Sequence, residues 1–361
     1  MSSERVAVVL FQLGGPDSTE AVEPFLYNLF CDPDIIDFPG AFLARKPLAR
    51  FIASRRSGRV AEHYREIGGK SPILDLTNAQ AAALRAALAP HVEAEVFVAM
   101  RYWKPFTADA ARSIGEGGFG RVLLLPLYPQ YSKATTLSSM REWRREALRA
   151  GLAGVGEDSV CCFYNHPLYI RALVENIDKT LRTFDGIPAH EIDLVFSAHG
   201  VPVSQVKSGD PYKMQIEETV RLVRGSGGWT SPGALCYQSK FGPAEWLKPG
   251  LDATIRRLAA AGRKNLLIVP VSFVTDHIET LHEIDIEARE EAHRLGVTRF
   301  DMVPGLNSSP TFISCLAELT LAAIRGAPAG TETCRGACTR TLPAVTPSLC
   351  PHWDRKDVLR R

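Results

Sequence analysis

Residues 268–287, IVPVSFVTDHIETLHEIDIE, hold the pattern that decides the fold and indicates where the chemistry lies. An apolar run rich in β-branched residues, Leu266 to Val274, is typical of a buried strand. Thr275-Asp276 follows as a helix N-cap pattern, with Glu279 three residues after the aspartate. A buried strand that leads directly into a helix is the repeating unit of α/β proteins.

The predicted helix carries a row of carboxylates. Glu279, Glu283 and Glu287 are spaced at i, i+4 and i+8, which puts them on one helical face. A solvated acidic surface is the ordinary explanation of such a row. Here, however, the row starts at the carboxyl end of a buried strand, where open α/β sheets place their ligands. It also starts beside two imidazoles, His277 and His282, so we expect a route for a hard cation or for protons.

A second strand end carries another candidate. The run from Glu191 to Phe196 predicts a short strand, and it leads into Ser-Ala-His-Gly-Val-Pro at residues 197–202. Histidine titrates near neutral pH and can either accept a proton or bind a metal. Because His199 stands at a strand end between small residues, we interpret it as functional rather than structural.

The composition is that of an ordinary globular protein with more than one domain. The chain has 361 residues, 45% hydrophobic and 23% charged, and a net charge of +2 that gives no reason to expect nucleic acid as a partner. No apolar run reaches the roughly 18 residues of a membrane span, and the N-terminus lacks the features of a signal peptide. We therefore expect a cytoplasmic protein whose eight cysteines do not form disulfides.

Alternating apolar runs and helical stretches predict two successive α/β halves, each with a parallel, doubly wound sheet. The Gly-rich stretch from Ala150 to Glu157 separates them, so we expect domains at residues 1–150 and 151–325 and a Cys-containing tail at 326–361. The strands are expected at Val6–Phe11, Glu93–Met100, Val122–Pro126, Glu191–Phe196, Gly233–Gln238 and Leu266–Val271. Helices are expected at Asn78–Ala89, Leu168–Thr183 and Tyr212–Val223.

Motifs along nearly the whole chain resemble those of the ferrochelatases, which insert ferrous iron into a porphyrin in the last steps of haem synthesis. The most specific are Ser-Ala-His at 197–199 and Asp-His-Ile-Glu-Thr-Leu at 276–281. The others are LGGP at 13–16, NLF at 28–30, YREIGGKSP at 64–72, MRY at 100–102, LPLYPQYS at 125–132 and YQSKFGP at 237–243. The resemblance implies two flavodoxin-like halves of the class II chelatase type, with the porphyrin cleft between them.

The resemblance also implies the reaction and its residues. Two pyrrole protons must leave a flat macrocycle, so the site needs a base over the ring, a rigid cleft that bends the ring, and a polar path for Fe²⁺ and protons. The family's functional His and Glu fall on His199 and Glu279, as base or initial metal ligand and as second metal contact facing it across the cleft. The path behind them is expected to consist of Asp276, His277, Glu283 and Glu287.

A different set of residues is expected to bind the porphyrin, which is an apolar plate with propionates at its edge. Arg101 is the expected polar anchor, because a guanidinium pairs with a carboxylate through two hydrogen bonds. The wall candidates are Leu13, Tyr64, Tyr102, Tyr128 and Tyr237, whose aromatic members offer flat apolar contact. Gln12 and Tyr237 depart from the family pattern (Asn, and in some relatives Trp), which leaves the choice between protoporphyrin and coproporphyrin open.

The segment Phe38 to Arg56 mixes apolar and basic residues in an amphipathic pattern. One interpretation is an ordinary surface helix. The other, implied by the resemblance, is a cleft lip that lies peripherally on anionic lipid.

Cysteines near the C-terminus allow two interpretations. Some ferrochelatases hold a [2Fe–2S] cluster on three C-terminal cysteines and one distant cysteine, and four thiolates are the usual requirement. The tail spacing in this chain is wider than the usual cluster form, so a reduced tail without a cluster is the alternative. The candidate ligands are Cys334, Cys338 and Cys350 with either Cys161 or Cys162.

Two other functions are compatible with parts of the sequence pattern. A cobalt or sirohydrochlorin chelatase shares the fold logic, but such enzymes are usually shorter and lack the motifs at 128–132 and 238–243. A haem or metal carrier without turnover needs a pocket but no acidic proton path. The sequence leaves open whether the protein is a monomer or a homodimer.

Overall fold

The computed structural model describes residues 5–35 and 41–325, with only the backbone of residues 41–43. It divides into two α/β units: one takes the chain up to Cys162 and again from Leu316, and the other is Phe163–Cys315. The last helix, Pro310–Ile324, therefore begins in the second unit and ends in the first.

In the described part of the first unit, four parallel strands form a sheet in the order β2-β1-β3-β4. The central strand β1 reads VAVVLFQ and is buried at every position, as expected of a parallel strand covered on both faces. The strands are β1 (Val6–Gln12), β2 (Ala94–Met100), β3 (Arg121–Pro126) and β4 (Gly156–Ser159).

The described residues of the second unit repeat this arrangement, with four parallel strands in the order β6-β5-β7-β8. Its core is built from apolar side chains such as Val195, Ile255, Ile268 and Phe300, which lie on strands and on a helix packed against the sheet. The strands are β5 (Ile192–His199), β6 (Gly233–Gln238), β7 (Asn265–Pro270) and β8 (Arg299–Met302).

Helices cover the sheets and connect the strands. The α-helices are α1 (Val22–Phe30), α2 (Ala41–Glu66), α3 (Ile73–Leu88), α4 (Thr107–Glu116), α5 (Ser138–Arg149), α6 (Pro167–Leu181), α7 (Val203–Lys207), α8 (Tyr212–Gly227), α9 (Leu251–Ala260), α10 (Arg289–Arg294) and α11 (Pro310–Ile324). Two further helices have π geometry, π1 (Lys133–Leu137) and π2 (Glu279–Ala288), and Ala189–Glu191 is a 3₁₀ turn. Within residues 5–35 and 41–325, no helix is both long and apolar enough to cross a bilayer.

The prediction of parallel α/β sheets in both halves is confirmed. The six predicted strands are present with ends shifted by a few residues, and β4 and β8 were missed because they are short and partly polar. Since β4 pairs with β3, the first unit extends past the boundary expected at Ala150 to Glu157.

The strand order of the second unit determines where the loops after its strands separate. From the central strand β5, the chain goes first to β6 on one side and later to β7 on the other. The loops after β5 and β7 therefore diverge at the carboxyl edge of the sheet, which is the usual ligand-binding point of doubly wound folds. His199 ends β5, and Glu279 begins the helix that follows β7.

Candidate active site

His199 and Glu279 form the centre of the site. The Nδ1 atom of His199 lies 2.7 Å from Oε2 of Glu279, so the two predicted catalytic residues are in direct hydrogen-bonding contact. Their side chains remain 35% and 21% exposed, respectively. The expectation that Glu279 faces His199 across a cleft was wrong, because both belong to the second unit and meet directly.

Each member of the pair stabilises the charged form of the other. Burial acts to lower the pKa of His199, but the Glu279 carboxylate, its hydrogen bond and the nearby Glu283 outweigh burial and raise it. Burial acts to raise the pKa of Glu279, but the His199 ring outweighs it and lowers that pKa to about 2. Since an ionised carboxylate only accepts hydrogen bonds, Nδ1 of His199 carries a proton, and Nε2 is the nitrogen that can react.

The backbone around His199 is fixed on both sides. Its N–H donates to Ser272 Oγ at 2.9 Å, and its carbonyl accepts from the Tyr212 hydroxyl at 3.0 Å. The next residue, Gly200, approaches β6 so closely that a Cβ there would lie 2.8 Å from the Gln238 carbonyl oxygen. The glycine after the histidine is therefore required by close packing, and the backbone that carries the His199 ring is held against β6.

His277 lies behind the pair and is buried. Its Nδ1 is 3.0 Å from the Thr275 carbonyl, which can only accept, so Nδ1 carries the proton. Burial lowers the pKa of His277, which favours a neutral ring with its lone pair on Nε2. The Phe273 ring packs against both imidazoles, with ring centroids 4.4 Å from His277 and 6.3 Å from His199.

The sequence pattern predicted that Asp276 caps the helix, and this prediction was wrong. The π-helix starts only at Glu279, without a side-chain cap. Instead, the Asp276 carboxylate accepts hydrogen bonds from Gly305 N at 3.0 Å, Asn307 Nδ2 at 2.8 Å and Thr280 Oγ1 at 3.3 Å. Asp276 thus ties the loop after β8 to the start of the helix.

The three carboxylates of the predicted row lie on π2, a rare helix type that is frequently found at functional sites. The prediction of an ordinary α-helix over this row was wrong. Burial and the Glu279 charge raise the pKa of Glu283 to about 7. Further along, Glu287 is 45% exposed and its Oε2 lies 3.9 Å from Nδ1 of the buried His282. The row thus extends from the His199 pair towards solvent.

Sequence reasoning missed Ser239, which follows the last residue of β6. Its backbone N–H donates to Glu283 Oε1 at 2.7 Å, and its hydroxyl lies 2.5 Å from Glu283 Oε2 and 3.1 Å from Glu279 Oε2. The neighbouring Gln238 donates to the Glu279 carbonyl at 3.2 Å and accepts from Ser197 Oγ at 2.6 Å. The signals available in the sequence were their place at a strand end and their membership of the YQSKFGP motif at 237–243, neither of which assigned them a role.

Another residue missed by the sequence analysis is Trp246, whose half-buried ring lies against the backbone just beyond His199. A Cβ on Gly200 would come within 3.3 Å of Trp246 Cε3, and the indole Nε1 is buried with no hydrogen-bond partner in the described structure. Trp246 offers a flat apolar surface beside the histidine.

Most of the predicted porphyrin-binding tyrosines are buried in their own units. Tyr64, Tyr102 and Tyr128 are buried in the first unit, and Tyr128 OH lies 3.3 Å from Ser139 Oγ. Tyr237 is buried in the second, and burial raises the pKa of its hydroxyl. Leu13, half-buried at the end of β1, is more accessible. Their contact with a ligand stays a prediction.

Arg101, the predicted anchor, is paired within the first unit. Its Nη2 is 2.9 Å from Asp32 Oδ2, and its Nε donates to Ser138 Oγ at 2.8 Å. Its Nη1 lies 3.7 Å from Glu142, and the Tyr102 hydroxyl donates to the same Asp32 oxygen at 2.6 Å. Arg101 therefore neutralises a buried aspartate, whatever else it binds.

Cys161 and Cys162 are adjacent, with sulfur atoms 3.6 Å apart. Cys161 is buried and Cys162 is partly exposed. Cys31, Cys162, Cys236 and Cys315 have free thiols. The predicted ligands Cys334, Cys338 and Cys350 lie outside the described residues.

The chain is similar to known proteins over nearly its whole described length. Among solved structures, SirB from Bacillus subtilis with Fe³⁺ has the same fold, with a TM-score of 0.54 at 11% identity, covering 91% of this chain and 100% of SirB. Ferrochelatase of Geotalea daltonii is 50% identical over 317 residues, covering 88% of this chain and 97% of the relative. Ferrochelatase of Citrifermentans bemidjiense is 49% identical over 326 residues, covering 90% and 100%. The ferrochelatase profile matches residues 5–324. Matched over nearly its whole described length, the chain belongs to the ferrochelatase family.

Proposed function

We propose that this protein inserts ferrous iron into a porphyrin in haem synthesis, releasing two protons, with protoporphyrin IX as the substrate. The observation that carries the proposal is the direct His199–Glu279 contact at the carboxyl edge of the second sheet, in a chain of the ferrochelatase family. Coproporphyrin, which carries four carboxylates instead of two, is the alternative substrate.

In this mechanism, His199 is the base. Glu279 holds the ring through Nδ1, so Nε2 is the atom that accepts a pyrrole proton. The Glu279 carboxylate also stabilises the imidazolium that forms. The pKa of His199 is raised for this reason, because the Glu279 charge outweighs the opposing effect of burial. Once the proton has moved on, Nε2 of His199 and the carboxylate of Glu279 are the groups that contact the incoming Fe²⁺.

The carboxylate row would carry protons out and iron in. Burial and the neighbouring Glu279 charge give Glu283 a pKa near 7, which suits a group that both takes up and releases protons at neutral pH. Glu287, which is partly exposed, would exchange with solvent, and the neutral His277 would complete the relay behind the pair. Asp276 supports this path by fixing the start of the helix.

An anaerobic assay tests the proposal directly. Purified protein is mixed with Fe²⁺ or Zn²⁺ and with protoporphyrin, coproporphyrin or sirohydrochlorin in turn, and metalloporphyrin formation is followed by absorbance. We expect metal insertion into protoporphyrin and its near-complete loss in His199→Ala. Activity with sirohydrochlorin alone would contradict the proposal, and so would near-wild-type iron insertion by His199→Ala.

A carrier without turnover is distinguished by Glu279→Gln. A carrier needs a pocket but no proton acceptor, so the variant should keep porphyrin affinity in either case. Under the proposed function, its insertion rate should fall at least 100-fold, because Glu279 orients the His199 base and stabilises its imidazolium, and general-base catalysis contributes about 10²–10⁴-fold. Unchanged binding together with an undetectable wild-type rate would favour the carrier.

We further propose that the protein is cytoplasmic and that helix α2 contacts the surface of an anionic membrane. Phe51 on this helix is 60% exposed, and the Arg55 guanidinium lies 5.5 Å from its ring centroid. Basic side chains beside an exposed aromatic ring favour binding to anionic lipid. In a flotation assay with anionic liposomes, Phe51→Glu should bind less than wild type, and equal binding would refute the membrane contact.

The cysteine tail carries a separate proposal, a [2Fe–2S] cluster on three tail cysteines and one thiol near residue 161. A cluster ligand must be a thiolate, and Cys162, a partly exposed free thiol, is the more accessible fourth ligand of the two candidates because Cys161 is buried. Visible absorbance of anaerobically purified protein should be lost in Cys338→Ser and in Cys162→Ser. Colourless wild-type protein with full activity would refute the cluster.

A further inference from the structure

Ser239 has a backbone conformation that its residue type disfavours. Its φ is +63°, in the left-handed region, which glycine adopts freely but which side-chain-bearing residues other than asparagine and aspartate rarely adopt. Non-glycine residues kept in this region cluster at functional sites, where the surrounding structure maintains the strain. A glycine would adopt this conformation without strain, so the serine side chain must provide something that glycine lacks.

The conformation brings two donors of one residue to two carboxylates. The backbone N–H of Ser239 reaches Glu283 Oε1, and its hydroxyl lies within hydrogen-bonding distance of both Glu283 Oε2 and Glu279 Oε2. The Glu279 oxygen that meets the hydroxyl is the same Oε2 that meets His199 Nδ1. The Ser239 hydroxyl therefore contacts the same Glu279 oxygen that orients the His199 ring.

We propose that Ser239 is a positioning residue, whose hydroxyl joins Glu279 to Glu283 and fixes the Glu279 oxygen against the His199 ring. The inference rests on the proposed function, because it assigns a role within the same site. Glycine would keep the backbone N–H bond to Glu283 but would lose the bridge between the two carboxylates. The hydroxyl is thus the part of Ser239 that catalysis needs, and the backbone strain is the cost of placing it.

Two substitutions separate the hydroxyl from the backbone. Ser239→Gly removes the hydroxyl and relieves the left-handed strain, whereas Ser239→Ala removes the hydroxyl and keeps the strain. We expect both to lower kcat for metal insertion by about 10- to 100-fold, the effect of losing a hydrogen bond to a charged group. The porphyrin KM should stay within about twofold of wild type, since substrate contacts are untouched. Ser239→Gly should melt at or above the wild-type temperature, and Ser239→Ala below it.

Ser226→Gly is the matched control, an exposed serine near the end of α8, and it should leave kcat unchanged. Wild-type kcat in Ser239→Gly would overturn the inference. So would an unchanged kcat with a raised porphyrin KM, which would make Ser239 a substrate contact. Restoration of kcat by Ser239→Asn, which tolerates left-handed backbone and supplies a donor, would support it.

A readout that does not depend on activity keeps the two proposals distinguishable. An inactive wild-type protein would refute the proposed function, and NMR of the His199 ring would then still test the positioning role. The Nδ1 proton resonance of His199 should shift in Ser239→Gly and not in Ser226→Gly. An unchanged resonance in Ser239→Gly would overturn the inference.

Discussion

Replacing Arg101 by Met tests whether this residue holds the first unit together or anchors substrate. The Asp32 side chain is 0% exposed and receives hydrogen bonds from Tyr102 at 2.6 Å and Ser138 at 2.5 Å. The Arg101 guanidinium, 2.9 Å away, provides the compensating positive charge. Methionine keeps much of the apolar stem but removes that charge.

The cost follows from leaving a buried carboxylate without its counter-ion. Breaking a buried ion pair by removing one partner destabilises a protein by about 3–5 kcal/mol. Because two hydroxyl donors remain on Asp32, we expect about 3 kcal/mol, at the low end of that range. For a unit of this size, a loss of about 3 kcal/mol lowers the melting temperature by about 6–12 °C.

The assay is thermal and urea unfolding of the wild type, Arg101→Met and the double variant Asp32→Asn/Arg101→Met. The double variant removes both charges of the Asp32–Arg101 pair, so it should recover most of the lost stability. Metal insertion, measured well below the melting temperature, should show a porphyrin KM close to wild type.

The opposite pattern would refute this account. If Arg101→Met unfolds within about 1 kcal/mol of wild type while its porphyrin KM rises at least tenfold, Arg101 is the propionate anchor and its pairing with Asp32 is secondary.

Three further predictions concern the second unit. Burial and the Glu279 charge raise the pKa of Glu283 from 4.5 to about 7. The folded protein therefore holds the Glu283 proton more tightly than the unfolded chain does. As pH rises from 4.5 to 7, the free energy of unfolding should fall by at most about 3 kcal/mol. Glu283→Gln should flatten this part of the urea-unfolding pH profile, and an unchanged slope would contradict it. Asp276→Ala should cost about 2–4 kcal/mol of unfolding free energy, because Gly305 N–H and two side chains lose a charged acceptor; a loss below about 0.5 kcal/mol would contradict it. Gly200→Ala should cost about 1–3 kcal/mol and reduce kcat, because its Cβ would press on the backbone next to the histidine; wild-type melting would argue against the contact.

Much of the fold could be predicted from local pattern. Apolar runs such as Val6–Phe11 and Leu266–Val271 predict buried strands, since parallel strands covered on both faces are almost continuously apolar. The short edge strands β4 and β8 were not predicted because they are only partly buried and need not be apolar throughout. β4 reads Gly-Glu-Asp-Ser and is partly exposed, so nothing in its composition distinguishes it from a loop.

The candidate site was predictable only in part. His199 and Glu279 could be identified because strand ends collect functional groups and because their motifs are specific. Their direct contact could not be foreseen, because it depends on how the loops after β5 and β7 run. The capping role expected of Asp276 failed for a related reason: its partners lie in the loop after β8, beyond the reach of any local pattern.

The sequence by itself determined which segments are buried strands, which residues end them and which family the motifs resemble, because these properties depend on neighbours within a few positions along the chain. Only the tertiary structure decided that Ser239, which follows β6, lies between two glutamates of π2, although β5 separates β6 from β7 in the sheet. Only the tertiary structure decided that Arg101 forms an ion pair with the buried Asp32. Such pairings join residues about 40 to 70 positions apart in the chain, so strand order and loop path decide which groups meet. Each buried polar group then pairs with a partner that the fold brings within hydrogen-bonding distance.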